Sequence, residues 1–432
     1  MRRSAAFRAV TLATLLLFAV SCASTQLPPI SSQGRSFAPL RDEAALWEQS
    51  RAEEQKLLGD VKLYGDRELE SYLEEVVGRL NPPAMASNPA VHYQVRVIED
   101  PTLNAFAYPH GSIYVHTGLL ARMEDEDELA TVLGHEMTHV EYRHMLRYQR
   151  SAHNKAVGLS VAAITASVLL AVAEGDALDH GEWAKEEVLD VFGNLMVGLG
   201  LQLAFQASVN GYGRGLEEEA DLGGFGKLAA AGYDLHEAPK VYQALLDDRG
   251  EPRKAEAFFF GSHPRLSERI AVTQRYVAQH PGATLAEDRV YREDAFARHI
   301  RPVVRDDARL NIDMGRLTLA ESELRKAREW MPSDPETHFL RGRLRLAQAT
   351  GKDPEEARGL RREAEDAFRK SIELDPGRPA PHRELGLLLR DREDLRGACV
   401  QLRRYQKLAP DAEDMEQIED AVAALERGGG CG

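Results

Sequence analysis

Three cysteines in 432 residues are too few for a disulfide-built fold, so stability must come from apolar cores. Positive charge is also short: 54 Lys and Arg face 69 Asp and Glu, for a net charge of −15. The acidic excess lies mainly before residue 300, and no basic stripe interleaved with aromatics occurs. Nucleic acid is therefore excluded as a partner, and an anionic lipid surface is disfavoured. A clean membrane-spanning run is missing as well. Residues 156–173 and 191–209 are apolar and Ala-rich, but Gly198, Gly200, Gln202 and Gln206 interrupt the second, and an acidic linker from Glu174 to Asp190 separates them. A spanning helix needs about twenty predominantly apolar residues. The two stretches read as a helical pair packed over the molecule or against a membrane surface, with a membrane hairpin as the alternative.

The amino terminus does carry an address. Arg2, Arg3 and Arg8 precede an apolar run over 9–20, the pattern of a signal peptide over 1–21. Ala19-Val20-Ser21-Cys22 resembles a bacterial lipoprotein processing site, which implies lipidation of Cys22. Ala23 and Ser24 resemble sorting residues for the outer membrane. The expected location is the periplasm, with the protein anchored to the outer membrane through its lipid. Residues 22–40, rich in Ser, Pro and Gln, read as a lipidated tether. Residues 1–21 hold three arginines and no acids, so the remainder carries −18. Cys399 and Cys431 are then the one pair open to bridging, although Gly428-Gly429-Gly430 makes 428–432 read as a flexible tail.

The densest chemical signal is His135-Glu136-Met137-Thr138-His139, an HExxH motif. Histidines at i and i+4 share one helix face, so both imidazoles reach one metal ion, and Glu136 sits where it takes a proton from water at that ion. Asp125-Glu126-Asp127-Glu128 suits the positive end of a helix dipole, and Leu129, Val132, Leu133, Met137 and Val140 continue a helical period to about Arg150. A catalytic zinc needs a third protein ligand. The HExxHxxGxxH extension fails, because Tyr142 and Met145 occupy its glycine and histidine positions. Glu217-Glu218-Glu219-Ala220-Asp221 offers a carboxylate instead. Glu217 and Asp221 lie one turn apart, so one can bind the metal while the other orients a ligand histidine.

Four ordered signatures between about residues 65 and 275 resemble the gluzincin metallopeptidases, the group of the HtpX membrane proteases, the prenyl-protein endopeptidases and the beta-barrel assembly-enhancing proteases. They are Asn104-Ala105-Phe106-Ala107 with Gly111-Ser112-Ile113-Tyr114-Val115 and Gly118-Leu119-Leu120; Leu133 to His139 with Arg143-His144; Glu217 to Asp221 with Ala231-Gly232-Tyr233-Asp234; and Ser262-His263-Pro264 with Arg269. His110 departs from the family, which usually has glycine there. The resemblance implies one zinc ion per chain held by His135, His139 and Glu217, with Glu136 as the catalytic base. It implies that His263 either stabilises the oxyanion or reaches the zinc and plugs the site. Asp221 is the expected partner behind the ligands, and Arg269 either pairs with Asp221 or anchors its loop.

Helices are expected over 42–58 and 67–80, and strands over 91–98 and 112–116. After about 299–303 the pattern changes. Pro376 and Pro410 lie 34 residues apart, the tetratricopeptide period. Ala308, Gly315, Ala320, Leu324, Ala327 and Pro332 match one repeat. Gly342, Ala364, Phe368 and Pro376 match a second, stretched by about ten residues near 350–359. Gly386, Leu389, Ala398, Leu402 and Pro410 match a third. The expected architecture is an α+β zincin-like metallopeptidase domain over 41–300, mostly helical with a small sheet, then an all-α tetratricopeptide-repeat solenoid over 301–427. The resemblance implies an endopeptidase that cleaves misfolded or stalled outer-membrane proteins, with the repeats recruiting substrate or a protein partner. Its rivals are an assembly chaperone or scaffold with a His-plugged site, and an integral-membrane protease.

Overall fold

The computed structural model describes residues 23–155, 212–247, 266–280 and 285–431. Two compact units divide the chain, one of Met1–Ile98, Leu103–His116 and Met123–Glu293, the other of Glu99–Thr102, Thr117–Arg122 and Asp294–Gly432. Among the described residues no helix is long and apolar enough to cross a membrane. The segments 156–173 and 191–209 lie outside the described residues, as do Cys22 and His263.

The first unit opens with α1 (Arg41–Asp60) and α2 (Arg67–Leu80). Asp66 caps α2 by accepting from the Glu68 and Leu69 amides at 3.0 Å each. Its apolar face, Leu69, Leu73, Val76 and Val77, is buried. Asn81-Pro82-Pro83 ends it, because proline cannot continue the hydrogen-bond ladder. A three-stranded sheet follows, β1 (Gln94–Ile98), β2 (Ala105–Ala107) and β3 (Ser112–His116) in the order β1-β3-β2. β1 runs parallel to the central β3, and β2 pairs antiparallel at the edge. The sheet begins at Gln94, three residues later than the sequence suggests. The turn into β3 needs glycine at 111 rather than 110: Gly111 has φ +111°, and a Cβ there would lie 2.3 Å from the His92 carbonyl. His110 is free to turn its ring to Glu54 (2.9 Å).

After the short α3 (Thr117–Arg122), helix α4 (Glu126–Glu141) carries the HExxH and is buried on nearly every side. The helix expected to continue to about 150 breaks at Tyr142-Arg143 and resumes over 144–155. Arg143 takes a left-handed φ of +60°. Its guanidinium is held by Glu43, with Nε donating at 2.8 Å, and lies over the Phe37 ring. Helices α5 (Arg214–Ala231), α6 (Ala238–Asp247) and α7 (Leu266–Gln279) complete the unit. Residues 23–39, read from composition as a loose tether, are instead packed down. Ile30 and Phe37 are buried, and the backbone of Ala23 exchanges two hydrogen bonds with the Asn154 amide.

The second unit is helical apart from its loops. Helix α8 (Arg289–Asp313) runs unbroken through the 299–303 border, with Pro302 inside it, and the units divide between Glu293 and Asp294. Then come α9 (Leu317–Trp330), α10 (Pro335–Ala349), α11 (Pro354–Leu374), α12 (Pro379–Asp391), α13 (Leu395–Leu408) and α14 (Met415–Arg427). Each packs on its neighbour in sequence, the pattern of a helical solenoid. Gly342 and Gly386 are the contact points: a Cβ would meet the Phe368 ring at 2.3 Å and Leu402 at 2.6 Å respectively. The extra residues near 350–359 lengthen α11 to 21 residues, against 14 in α9 and α13. The carboxy-terminal segment read as flexible is pinned, since Cys399 and Cys431 form a disulfide.

Candidate metal centre

Three side chains from two helices converge. His135 and His139 project from one face of α4, and Glu217 comes from the first turn of α5. Their ligand atoms all lie within 4.8 Å of one another, and all three residues are buried. The two Nε2 atoms are 3.0 Å apart, with Glu217 oxygens 3.4 Å from His135 and 3.8 Å from His139. Glu217 is fixed in turn by the Tyr212 amide, which donates to Oε1 at 2.8 Å.

The other ring nitrogens decide what this arrangement can hold. Nδ1 of His135 donates to Asp221 Oδ1 at 2.9 Å. Burial would raise the Asp221 carboxyl, but the Arg269 guanidinium and His135 hold it at about 2. Asp221 is therefore an acceptor, and the hydrogen belongs to His135 Nδ1. Arg269 donates to both Asp221 oxygens, at 3.0 and 2.6 Å, and Tyr242 donates to Oδ1 at 2.9 Å. On the other side, Nδ1 of His139 lies 2.8 Å from Nδ1 of His144, whose Nε2 lies 3.2 Å from Glu219 Oε2. Hydrogen bonding from His144 and Arg147 holds Glu219 at about 2 against burial. The Glu219 carboxylate accepts the His144 Nε2 hydrogen, so His144 Nδ1 accepts from His139.

Both Nε2 lone pairs then face one point beside a carboxylate. Such a set repels itself unless a cation sits between its members, and imidazole with carboxylate is the donor chemistry of zinc. The demand for positive charge is visible on His135. Burial and Arg269 push it down, yet Asp221 and Glu217 lift it to about 9. A metal ion meets that demand by displacing the proton. The residues present fit zinc.

A sequence model of peptidase family M48 matches residues 66–277, the stretch that supplies all of these side chains. The chain carries a peptidase family M48 domain. The M48 domain is similar to a protein of Vibrio cholerae assigned as a beta-barrel assembly-enhancing protease, 29% identical over 53% of this chain and 43% of the relative. It is 31% identical to mitochondrial metalloendopeptidase OMA1 of Schizosaccharomyces pombe over 50% of this chain and 57% of the relative. The beta-barrel assembly-enhancing protease of Escherichia coli K12 is 27% identical over 50% of this chain and 40% of the relative. The matched region thus spans roughly half the length of these relatives.

Within the M48 domain, Glu136 is buried beside the edge strand. Burial raises its carboxyl to about 7, with Glu217 adding to the rise while His135, Arg269 and the Ala107 amide of β2 oppose it. Asp221 and Arg269 come together with His135, as the distances above describe, and His263 lies outside the described residues. Sequence reasoning gave no role to Tyr242, Glu219 or His144. Tyr242 sits in no motif and has no sequence signal. Glu219 and His144 both lie inside the family-like signatures, but nothing in spacing alone joins them.

Proposed function

We propose that this chain is a zinc-dependent endopeptidase of the bacterial cell envelope. The reading is carried by the convergence of His135 Nε2, His139 Nε2 and the Glu217 carboxylate on one point, and these three would hold the ion. Zinc bound there supplies a Lewis acid that polarises a peptide carbonyl and makes water acidic. Glu136, with its carboxyl near 7, accepts a proton and returns it to the leaving amine at neutral pH. Asp221 and Arg269 keep the His135 ring in its ligand tautomer. His263 would either donate to the oxyanion or close the open position. β2 is the free-standing choice for the substrate: an extended polypeptide added along a sheet edge is recognised by its backbone, which demands little of its side chains.

Several observations support the location and substrate. The names of the Vibrio and Escherichia relatives support outer-membrane proteins, misfolded or stalled in assembly, as the substrate class. The segment before Ala23 supports a lipid anchor at Cys22. Because Ala23 is tied to Asn154, such an anchor would hold the peptidase at the membrane surface. The Cys399–Cys431 disulfide suits an oxidising compartment such as the periplasm. Paired helices α8 to α13, at tetratricopeptide spacing, support a binding surface for substrate or a protein partner.

The test compares the parent with Glu136→Gln on casein, with zinc content measured for both. The variant is expected to keep its zinc and to lose cleavage by about 10²–10⁴-fold. A variant as active as the parent removes Glu136 from the mechanism, and a parent without zinc removes the reading.

A further inference from the structure

A metal-ligating imidazole is held in place by what its second nitrogen meets. Asp221 serves His135 in that way. For His139 the partner is another histidine: Nδ1 of His139 lies 2.8 Å from Nδ1 of His144. His144 is fully buried, and its Nε2 meets Glu219 at 3.2 Å. Glu219 is gripped by Arg147, one nitrogen in close contact and Nη2 at 3.3 Å from Oε1. We propose that His144 and Glu219, backed by Arg147, form a relay that positions His139 for the metal. The inference rests on the reading of His139 as a zinc ligand.

The backbone supports the relay independently of the side chains. On an unbroken helix His144 would sit about 140° round from His139 and face away from it. The break at Tyr142-Arg143 turns His144 back toward the ligand. That break is strained, because Arg143 is a non-glycine residue in the left-handed region, at φ +60°. It persists because Glu43 and Phe37 hold the guanidinium. Strain kept in place beside a donor set points to use. The order of donors is also complete. The Glu219 carboxylate accepts from His144 Nε2, leaving His144 Nδ1 to accept from His139 Nδ1, which leaves the His139 Nε2 lone pair aimed at the metal. One helix, α5, thereby supplies the third donor at Glu217, the orienter of His135 at Asp221, and the base of the His139 relay at Glu219.

The experiment measures zinc affinity by competition with a chromophoric chelator, the visible spectrum of the cobalt-substituted protein, and the Tm of the metal-free form. The proteins are the parent, Glu219→Leu, His144→Asn and His144→Leu. The Glu219 side chain is 42% exposed, so Glu219→Leu should lower the metal-free Tm only modestly, through the lost pair with Arg147, while zinc binding weakens about 10–100-fold. In His144→Asn the amide oxygen replaces Nδ1 as acceptor, so most of the affinity and the cobalt spectrum should survive; in His144→Leu both should be lost. Glu219→Leu binding within about twofold of the parent overturns the relay, as does equal affinity in the two His144 variants, or a loss that merely follows a lower metal-free Tm. A parent that binds no zinc overturns the metal-site reading and the relay together; a parent that binds, with unaltered variants, overturns the relay alone.

Discussion

At the scale of single residues, the acidic run before the HExxH does more than suit the positive end of the α4 dipole. Asp125 caps α4 through the Glu128 amide. Glu126 accepts from Tyr72, Arg79 and Tyr233 at 2.7–2.9 Å, Asp127 from the Asp234 amide and Glu128 from the Glu124 amide at 2.7 Å each. All three of these carboxyls are buried. Burial pushes Glu128 up to about 7 from its ordinary 4.5. Below about pH 4.5 the group is protonated whether the chain is folded or not. As pH rises toward 7 the unfolded chain releases the proton first, so stability is lost through that window, by about 3 kcal/mol at full ionisation. Glu128→Gln should therefore stabilise the protein at pH 8 and be near neutral at pH 4.5, read as urea midpoints at the two values. Equal effects at both would mean that Glu128 is not the group that holds its proton to higher pH. The acids themselves were legible in the sequence as a helix start. Their partners were not, because Tyr72, Arg79 and Tyr233 come from remote segments.

At the scale of elements, the metal site depends on how closely α4 and α5 approach. Their contact runs through glycines: a Cβ at Gly224 would lie 3.1 Å from the His135 amide nitrogen, and one at Gly223 would lie 2.5 Å from the Thr138 methyl. Gly226, on the same helix, has nothing within 4 Å. Gly224→Leu should force the helices apart, costing about 1–3 kcal/mol and separating Glu217 from the two histidines, so zinc binding weakens along with the Tm. Gly226→Ala should instead gain up to about 1 kcal/mol from helix propensity and bind zinc normally. Comparing zinc affinity and Tm in the two variants checks this; equal behaviour would mean the glycines do not set the spacing. Much at this scale was readable beforehand. α2 and β3 fall where periodicity and proline predict, and both site helices were identifiable from motif and resemblance. The break at Arg143 was not, since arginine is a good helix former and its left-handed turn is imposed by Glu43 and Phe37, about a hundred residues away in sequence.

At the scale of the whole molecule, the repeat unit carries a disulfide at an end that the sequence misjudged. The glycines at 428–430 imply mobility, but Cys431 is bonded to Cys399 across a separation of 32 residues. The bond ties the tail to α13, and Ile418, Val422 and Leu425 of α14 join the solenoid core. Closing a loop of this length removes enough freedom from the unfolded chain to contribute about 3–4 kcal/mol. Cys431→Ser should therefore lower the urea midpoint of the repeat unit and raise amide exchange over 415–427. Zinc binding by the M48 domain should stay as in the parent, because none of its donors lies in that unit. If the oxidised parent, the reduced parent and the variant unfold alike, the solenoid is held by its apolar core and the disulfide adds nothing. If zinc affinity falls with the midpoint, the two units are energetically coupled.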